Sequence, residues 1–173
     1  RLVGAGLGLM DLRTIPMVGR RAERDELWKV FRRVAKTGRG AVVCLHGPAG
    51  VGTSRLGAWI GETARQLTGT RYLKAVARPG EAPQNLLRRV LHRELKTSRL
   101  EDIPRFDRIR DELSLTMPSE QPLVKSLTAL LADDEAASLG VDSSSRYATI
   151  RRALETMAAD RPVVVVLDDV HVT

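Results

Sequence analysis

Apolar residues recur at three- and four-residue spacing along much of the chain, which is the pattern of helices with one buried face. The polar stretch 98–121 carries this pattern weakly and predicts at most one short helix. The periodic segments predict helices over residues 20–36, from 53 onward, over 84–95, over 123–132, and from a serine cap at 144 or 145 onward.

Three short apolar runs interrupt the helical segments and predict buried strands. They are AVVCLH at residues 41–46, TRYLKAVA at 70–77 and VVVVL at 163–167. The uninterrupted valines of the last run indicate burial on both faces, as in a parallel sheet. Alternation of strands with helices predicts an α/β fold of three layers around a mainly parallel sheet.

A glycine-rich turn joins the first predicted strand to the next helix and carries the strongest chemical signal. Its sequence, GPAGVGTS, matches the phosphate-loop pattern G-x-x-x-x-G-K-[ST] except at the lysine position. The glycines let successive N–H groups turn inward, and the start of the following helix adds positive potential, so the turn can hold phosphate. The hydroxyl at the last position suits Mg²⁺. The candidate nucleotide-binding residues here are Gly47, Pro48, Ala49, Gly50, Val51, Gly52, Thr53, Ser54 and Arg55, with Ser54 also a candidate Mg²⁺ ligand.

Thr53 stands where a complete phosphate loop has its lysine. That ammonium reaches the β- and γ-phosphates and offsets charge during phosphoryl transfer. A threonine hydroxyl donates one hydrogen bond and brings no charge, and Arg55 is directed to another side of the helix. We therefore expect weak nucleotide binding and little or no hydrolysis. A glycine-rich turn that binds no ligand is the alternative interpretation.

Two carboxylates follow the last predicted strand in the sequence VVVVLDD. In a nucleotide site, Asp168 would contact Mg²⁺ and Asp169 would act as the catalytic residue that orients or deprotonates the attacking water. An acidic turn that caps a nearby helix is the alternative. The phosphate loop upstream favours the nucleotide interpretation.

Three segments resemble a known family, the signal-transduction ATPases with numerous domains and the related origin-recognition-like AAA ATPase module of bacterial multidomain regulators. They are PMVGRRAERDEL at 16–27, HGPAGVGTSRL at 46–56 and RPVVVVLDDVHVT at 161–173. The chain departs from the family pattern at Arg21, where a Glu is usual, at Thr53, and at Val172, where a Trp is usual. The resemblance implies a P-loop NTPase with ATP and Mg²⁺ as cofactors, and it places Met17, Val18, Gly19 and Arg20 near the adenine.

The resemblance also implies a domain organisation. Residues 16–173 correspond to the N-terminal part of the module, without its later strands and helical lid, and residues 1–15 to a linker from an upstream domain such as a Ser/Thr kinase. In the family's sheet order, strand 41–46 would then lack both neighbours and be unpaired or wrongly paired. The implied function is an ATP- or ADP-binding switch that acts on other domains of the same polypeptide; self-association stays open.

Composition and charge reduce the number of functional classes that the sequence leaves open. The 173 residues carry a formal charge of +7, yet residues 1–100 hold 20 basic and 7 acidic side chains, whereas 101–173 hold 8 and 14. Only 3% of residues are aromatic, which disfavours a single-strand stacking platform, so nucleic acid is not the expected partner. One cysteine and no long apolar run favour a cytoplasmic protein without a membrane partner. A DNA-associated AAA ATPase and a nucleotide-free scaffold remain as alternatives.

We predict that Thr53→Lys raises both ATP affinity and hydrolysis. A restored charge-assisted contact to phosphate contributes about 1.5–3 kcal/mol, which corresponds to roughly tenfold or more in affinity. Titration calorimetry and phosphate release from the same preparations measure the two effects. If neither quantity changes, the interpretation of residues 47–54 as a phosphate loop is wrong.

Overall fold

The structure is a computed structural model that describes residues 17–132 and 143–172. The predicted linker 1–15 and most of the predicted loop 133–145 lie outside the described residues.

Helices form most of the described chain, in the order that the sequence predicts. The helices are α1 (Arg21–Thr37), α2 (Thr53–Thr68), α3 (Pro83–Glu94), α4 (Asp102–Glu112), α5 (Gln121–Leu130) and α6 (Ser143–Asp160), the strands are β1 (Arg71–Val76) and β2 (Val163–Asp168), and short 3₁₀ turns span Pro118–Glu120 and Val170–Val172. Gly38 and Gly69 end α1 and α2 in the left-handed conformation, which glycine adopts without steric cost.

The sheet described by the structure is the parallel pair β1–β2. The register runs from Arg71 opposite Val163 to Val76 opposite Asp168, and the amide of Ala77 extends it by donating to the Asp168 carbonyl at 2.8 Å. Helices α3 to α6 lie between the two strands in sequence, as a parallel connection requires.

Helices cover both faces of this sheet and produce three layers. On one face, Leu73 and Ala75 join the larger core, which contains the buried residues of α3 to α6. On the other face, Val164 packs against a second core between α1 and α2, formed by Leu27, Phe31, Leu56, Ile60 and Ala64. The predicted α/β class with three layers is therefore confirmed.

Residues 41–46 do not form the predicted buried strand. They are irregular and exposed, and the Val42 side chain is 99% exposed. The backbone of a strand needs a neighbour for its N–H and C=O groups, and in the described residues β1 and β2 pair with each other instead. The segment is unpaired, which is one of the two expected outcomes, and the prediction that it is a strand is wrong.

The structure also differs from the sequence-based expectations in the burial of β2 and in the boundary of α6. All six β2 residues are only half-buried, although helices lie on both faces, because among the described residues β2 is paired along one edge alone. Leu67 and Tyr147 are exposed near helix termini, although each lies on the apolar side of its helical repeat. Helix α6 already includes residues 144 and 145, so neither serine is its cap.

We expect Cys44 to react as an accessible thiol, because its segment lies outside the sheet. Labelling of the folded protein with a chromogenic disulfide should proceed within about a factor of ten of the rate in denaturant. Strong protection in the folded protein would contradict the exposed conformation and indicate a paired strand at 41–46.

Substitution of Gly61 by Ala should destabilise the fold. A Cβ at this position would lie 2.1 Å from the Tyr72 ring, so helix and strand would have to separate, at a cost of about 1–3 kcal/mol. Gly57→Ala in the same helix is the matched control, because its Cβ would lie 3.1 Å from Val166 and both changes gain the same helix propensity. Denaturant unfolding should give Gly61→Ala a lower free energy of unfolding than Gly57→Ala. The reverse order would contradict the packing of Tyr72 on Gly61.

Candidate functional site

Residues 47–54 make up the candidate phosphate turn. Its glycine-rich part, residues 47–52, is a compact bend that leads directly into α2. Gly50 and Gly52 have φ of 78° and 90°, and the Val51 amide donates to the Pro48 carbonyl at 3.2 Å. No side chain caps the start of α2 in the described structure. The first amide N–H groups of α2 are therefore available to donate hydrogen bonds to a phosphate oxygen. Thr53 and Arg55 are the first and third residues of this helix.

Two of the predicted adenine-side residues contact neighbouring elements: Met17 packs against the core between α1 and α2, and Arg20 contacts the turn. The Arg20 guanidinium donates a hydrogen bond to the Val51 carbonyl. Arg24 donates to the Met17 carbonyl at 3.4 Å and lies over the Trp59 ring of α2, with 4.6 Å to the centroid. Two segments that are 30 residues apart in sequence thus meet, while Val18 stays exposed beside them.

Asp168 meets the phosphate turn from the end of β2. The Ser54 hydroxyl donates to Asp168 Oδ1 at 2.8 Å, and the Asp168 side chain is only 15% exposed. A hydroxyl and a carboxylate oxygen are the ligand types that Mg²⁺ takes from protein in phosphate sites, with water and phosphate completing its shell. The pair therefore fits Mg²⁺. The described residues contain no group of three or more His, Cys, Asp or Glu that could hold a metal without such additional ligands.

Asp169, the second carboxylate after β2, lies in an exposed turn. It is exposed, has a φ of 56°, and its carbonyl accepts from the Val172 amide at 3.1 Å, so it turns the chain into the 3₁₀ segment after β2. The structure thus gives Asp168 a defined contact with the phosphate turn and leaves Asp169 facing solvent.

Lys74 is a further charged residue at this site, and the sequence analysis did not single it out. Its Nζ lies 3.9 Å from Asp168 Oδ2, and its side chain is 35% exposed. A charged residue between the apolar residues Leu73 and Ala75 was a visible signal. Its proximity to Asp168 depended on the register between β1 and β2, which is set by the packing of the two strands together.

Tyr72 lies two residues before Lys74 and packs its ring on Gly61 of α2. Burial raises the pKa of its phenol, the carboxylates of Glu62 and Asp168 raise it further, and Arg93 opposes them. Tyr72 therefore stays protonated and neutral at physiological pH.

A cavity of about 730 Å³ lies along the outer edge of β1, and Lys74 is among its lining residues. Its lining includes Arg89, Arg93 and Arg99. Arg89 donates to the Val76 carbonyl at 2.7 Å and Arg93 to the Lys74 carbonyl. These arginines satisfy main-chain acceptors at a sheet edge, and they protect that edge from pairing with another chain. A structural role therefore accounts for their placement.

The chain belongs to the AAA ATPase domain family, whose sequence profile matches residues 16–172. The matched range includes the phosphate turn, β2 and both carboxylates. No match was found among curated proteins or among solved structures. In residues 17–132 and 143–172, no helix combines the length and the apolar composition that crossing a bilayer requires.

Proposed function

We propose that this chain is an ATP- or ADP-binding module that acts as a regulatory switch in a larger bacterial signalling protein, with slow hydrolysis. The observation that carries the proposal is the contact between Ser54, at the start of an uncapped helix, and Asp168, at the end of β2. An anion cradle and a magnesium-type oxygen pair lie side by side, which is the arrangement that a nucleotide polyphosphate with Mg²⁺ needs.

The residues of this site have separate tasks in the proposal. The amides of residue 50 and of residues 52–54 donate to phosphate oxygens, and Met17, Val18 and Gly19 lie beside the base. Arg20 holds the two segments together through the Val51 carbonyl. Mg²⁺, when bound, would neutralise phosphate charge and orient the β- and γ-phosphates.

Slow hydrolysis follows from two features of the same residues. Thr53 brings no charge to stabilise the transition state, where electrostatic terms are largest. Asp169, the proposed base, faces solvent, where an attacking water would not be held in line. A site that binds nucleotide and turns it over slowly keeps its bound state for long periods, which suits a switch within a larger polypeptide.

Calorimetric titration of the protein with ATP, with and without Mg²⁺, tests this function. We expect Mg²⁺ to strengthen ATP binding. Asp168→Asn should lower the ATP affinity measured with Mg²⁺ about tenfold or more, because an amide is a poorer Mg²⁺ ligand than a carboxylate. The ATP affinity measured without Mg²⁺ should change little. Asp111→Asn is the matched control, because Asp111 is exposed on α4 and pairs only locally with Arg110.

Two results would count against the proposal. Absence of ATP and ADP binding at millimolar concentration would favour the nucleotide-free scaffold. Equal Mg²⁺ dependence in Asp168→Asn and Asp111→Asn would remove the metal role from the end of β2.

A further inference from the structure

We propose that Lys74 of β1 supplies to the bound phosphates the positive charge that Thr53 does not provide. This inference rests on the proposed function and assigns a residue that neither the phosphate-loop motif nor the family match names. The contact that carries it is the 3.9 Å approach of Lys74 Nζ to Asp168 Oδ2.

Strand register determines the direction of Lys74. In β1, Leu73 and Ala75 face the core of α3 to α6, so their alternating neighbours Tyr72 and Lys74 face α2. Lys74 is opposite Val166, whose Cγ1 would lie 3.1 Å from a Cβ on Gly57 of α2. The Lys74 side chain therefore extends along the surface where α2 covers the sheet, toward the start of that helix.

Asp168 connects the ammonium to the phosphate turn. One carboxylate oxygen accepts from the Ser54 hydroxyl at 2.8 Å, and the other faces the Lys74 ammonium. The Asp168 carboxylate thus lies between the Lys74 ammonium and the Ser54 hydroxyl at the start of α2. A lysine side chain has a flexible four-carbon stem, so its ammonium can move from the carboxylate to a phosphate oxygen without a change in the backbone.

The other lysines are placed differently. The chain has five, at positions 29, 36, 74, 96 and 125. Lys29 and Lys96 form surface pairs with Glu26 and Glu112, both at 2.8 Å. Among the described residues, Lys74 contacts a residue of the phosphate site, and its side chain is partly shielded, which weakens water screening of its charge.

A double-mutant cycle between positions 53 and 74 tests the inference directly. Lys74→Met should weaken ATP and ADP binding about tenfold or more, and it should leave AMP binding unchanged, because AMP lacks the β- and γ-phosphates. In the Thr53→Lys background, Lys74→Met should cost less than about threefold, since the restored lysine then supplies the same charge. Lys74→Arg should retain most of the affinity.

Lys96→Met serves as the matched control, because it removes a lysine from an exposed ion pair on the same molecule and should not change ATP binding. The unfolding midpoint without ligand should be similar for Lys74→Met and Lys96→Met, since both pairs are partly solvated. If Lys74→Met does not fold, Lys74→Gln, which keeps a long polar side chain without the charge, takes its place in the same comparisons of ATP with AMP and of Thr53 with Thr53→Lys.

Three results would overturn the role of Lys74. They are equal or tighter ATP binding by Lys74→Met, an equal loss for ATP and AMP, and an undiminished loss in the Thr53→Lys background. If the unaltered protein binds no ATP, the proposed function fails and this inference fails with it. ATP binding that is normal in Lys74→Met overturns the inference alone.

Discussion

The parallel pairing of β1 with β2 is the constraint on which the rest of this structure depends. Its register sets Val76 opposite Asp168 and Lys74 opposite Val166, so one sheet face carries a lysine and an aspartate toward the helix that begins at Thr53. A shift of β1 by one residue would turn Lys74 toward the apolar core on the other face. Burial of Leu73 and Ala75 among helices α3 to α6 opposes such a shift and thereby fixes the geometry of the candidate site.

The phosphate turn keeps its place although residues 41–46 before it are not part of the sheet. Helix α2 is held by the core it shares with α1, where Trp28 and Phe31 stack with centroids 5.0 Å apart. Burial of a side chain such as Phe31 contributes about 1.5–3 kcal/mol. The hydrogen bonds of Arg20 to Val51 and of Ser54 to Asp168 then attach the turn to α1 and to β2. The turn is thus positioned by the helix that follows it and by side chains, and not by a strand before it.

Much of this was predictable because it depends on local chemistry. Helical periodicity gave α1, α2, α3 and α5 to within a few residues, and the valine run gave β2. The glycine spacing identified the turn, and the family profile independently includes it. The segment 41–46 was predicted wrongly because a β-branched apolar run indicates only that a strand is favourable, whereas pairing requires a neighbouring strand. The position of Lys74 was missed for a related reason, because the contacts of a strand residue depend on its partner strand.

By itself, the sequence determined the α/β class, the phosphate turn with threonine in place of lysine, and the pair of carboxylates after the last strand. Glycine spacing, apolar periodicity and residue chemistry are properties of short segments, so they can be recognised before the chain is folded. Only the tertiary structure decided that Asp168 and not Asp169 meets Ser54, that Arg20 bonds to the turn, and that Lys74 approaches the same carboxylate. Those contacts join residues between 31 and 114 positions apart, and they follow from strand register and from the packing of α2 on the sheet.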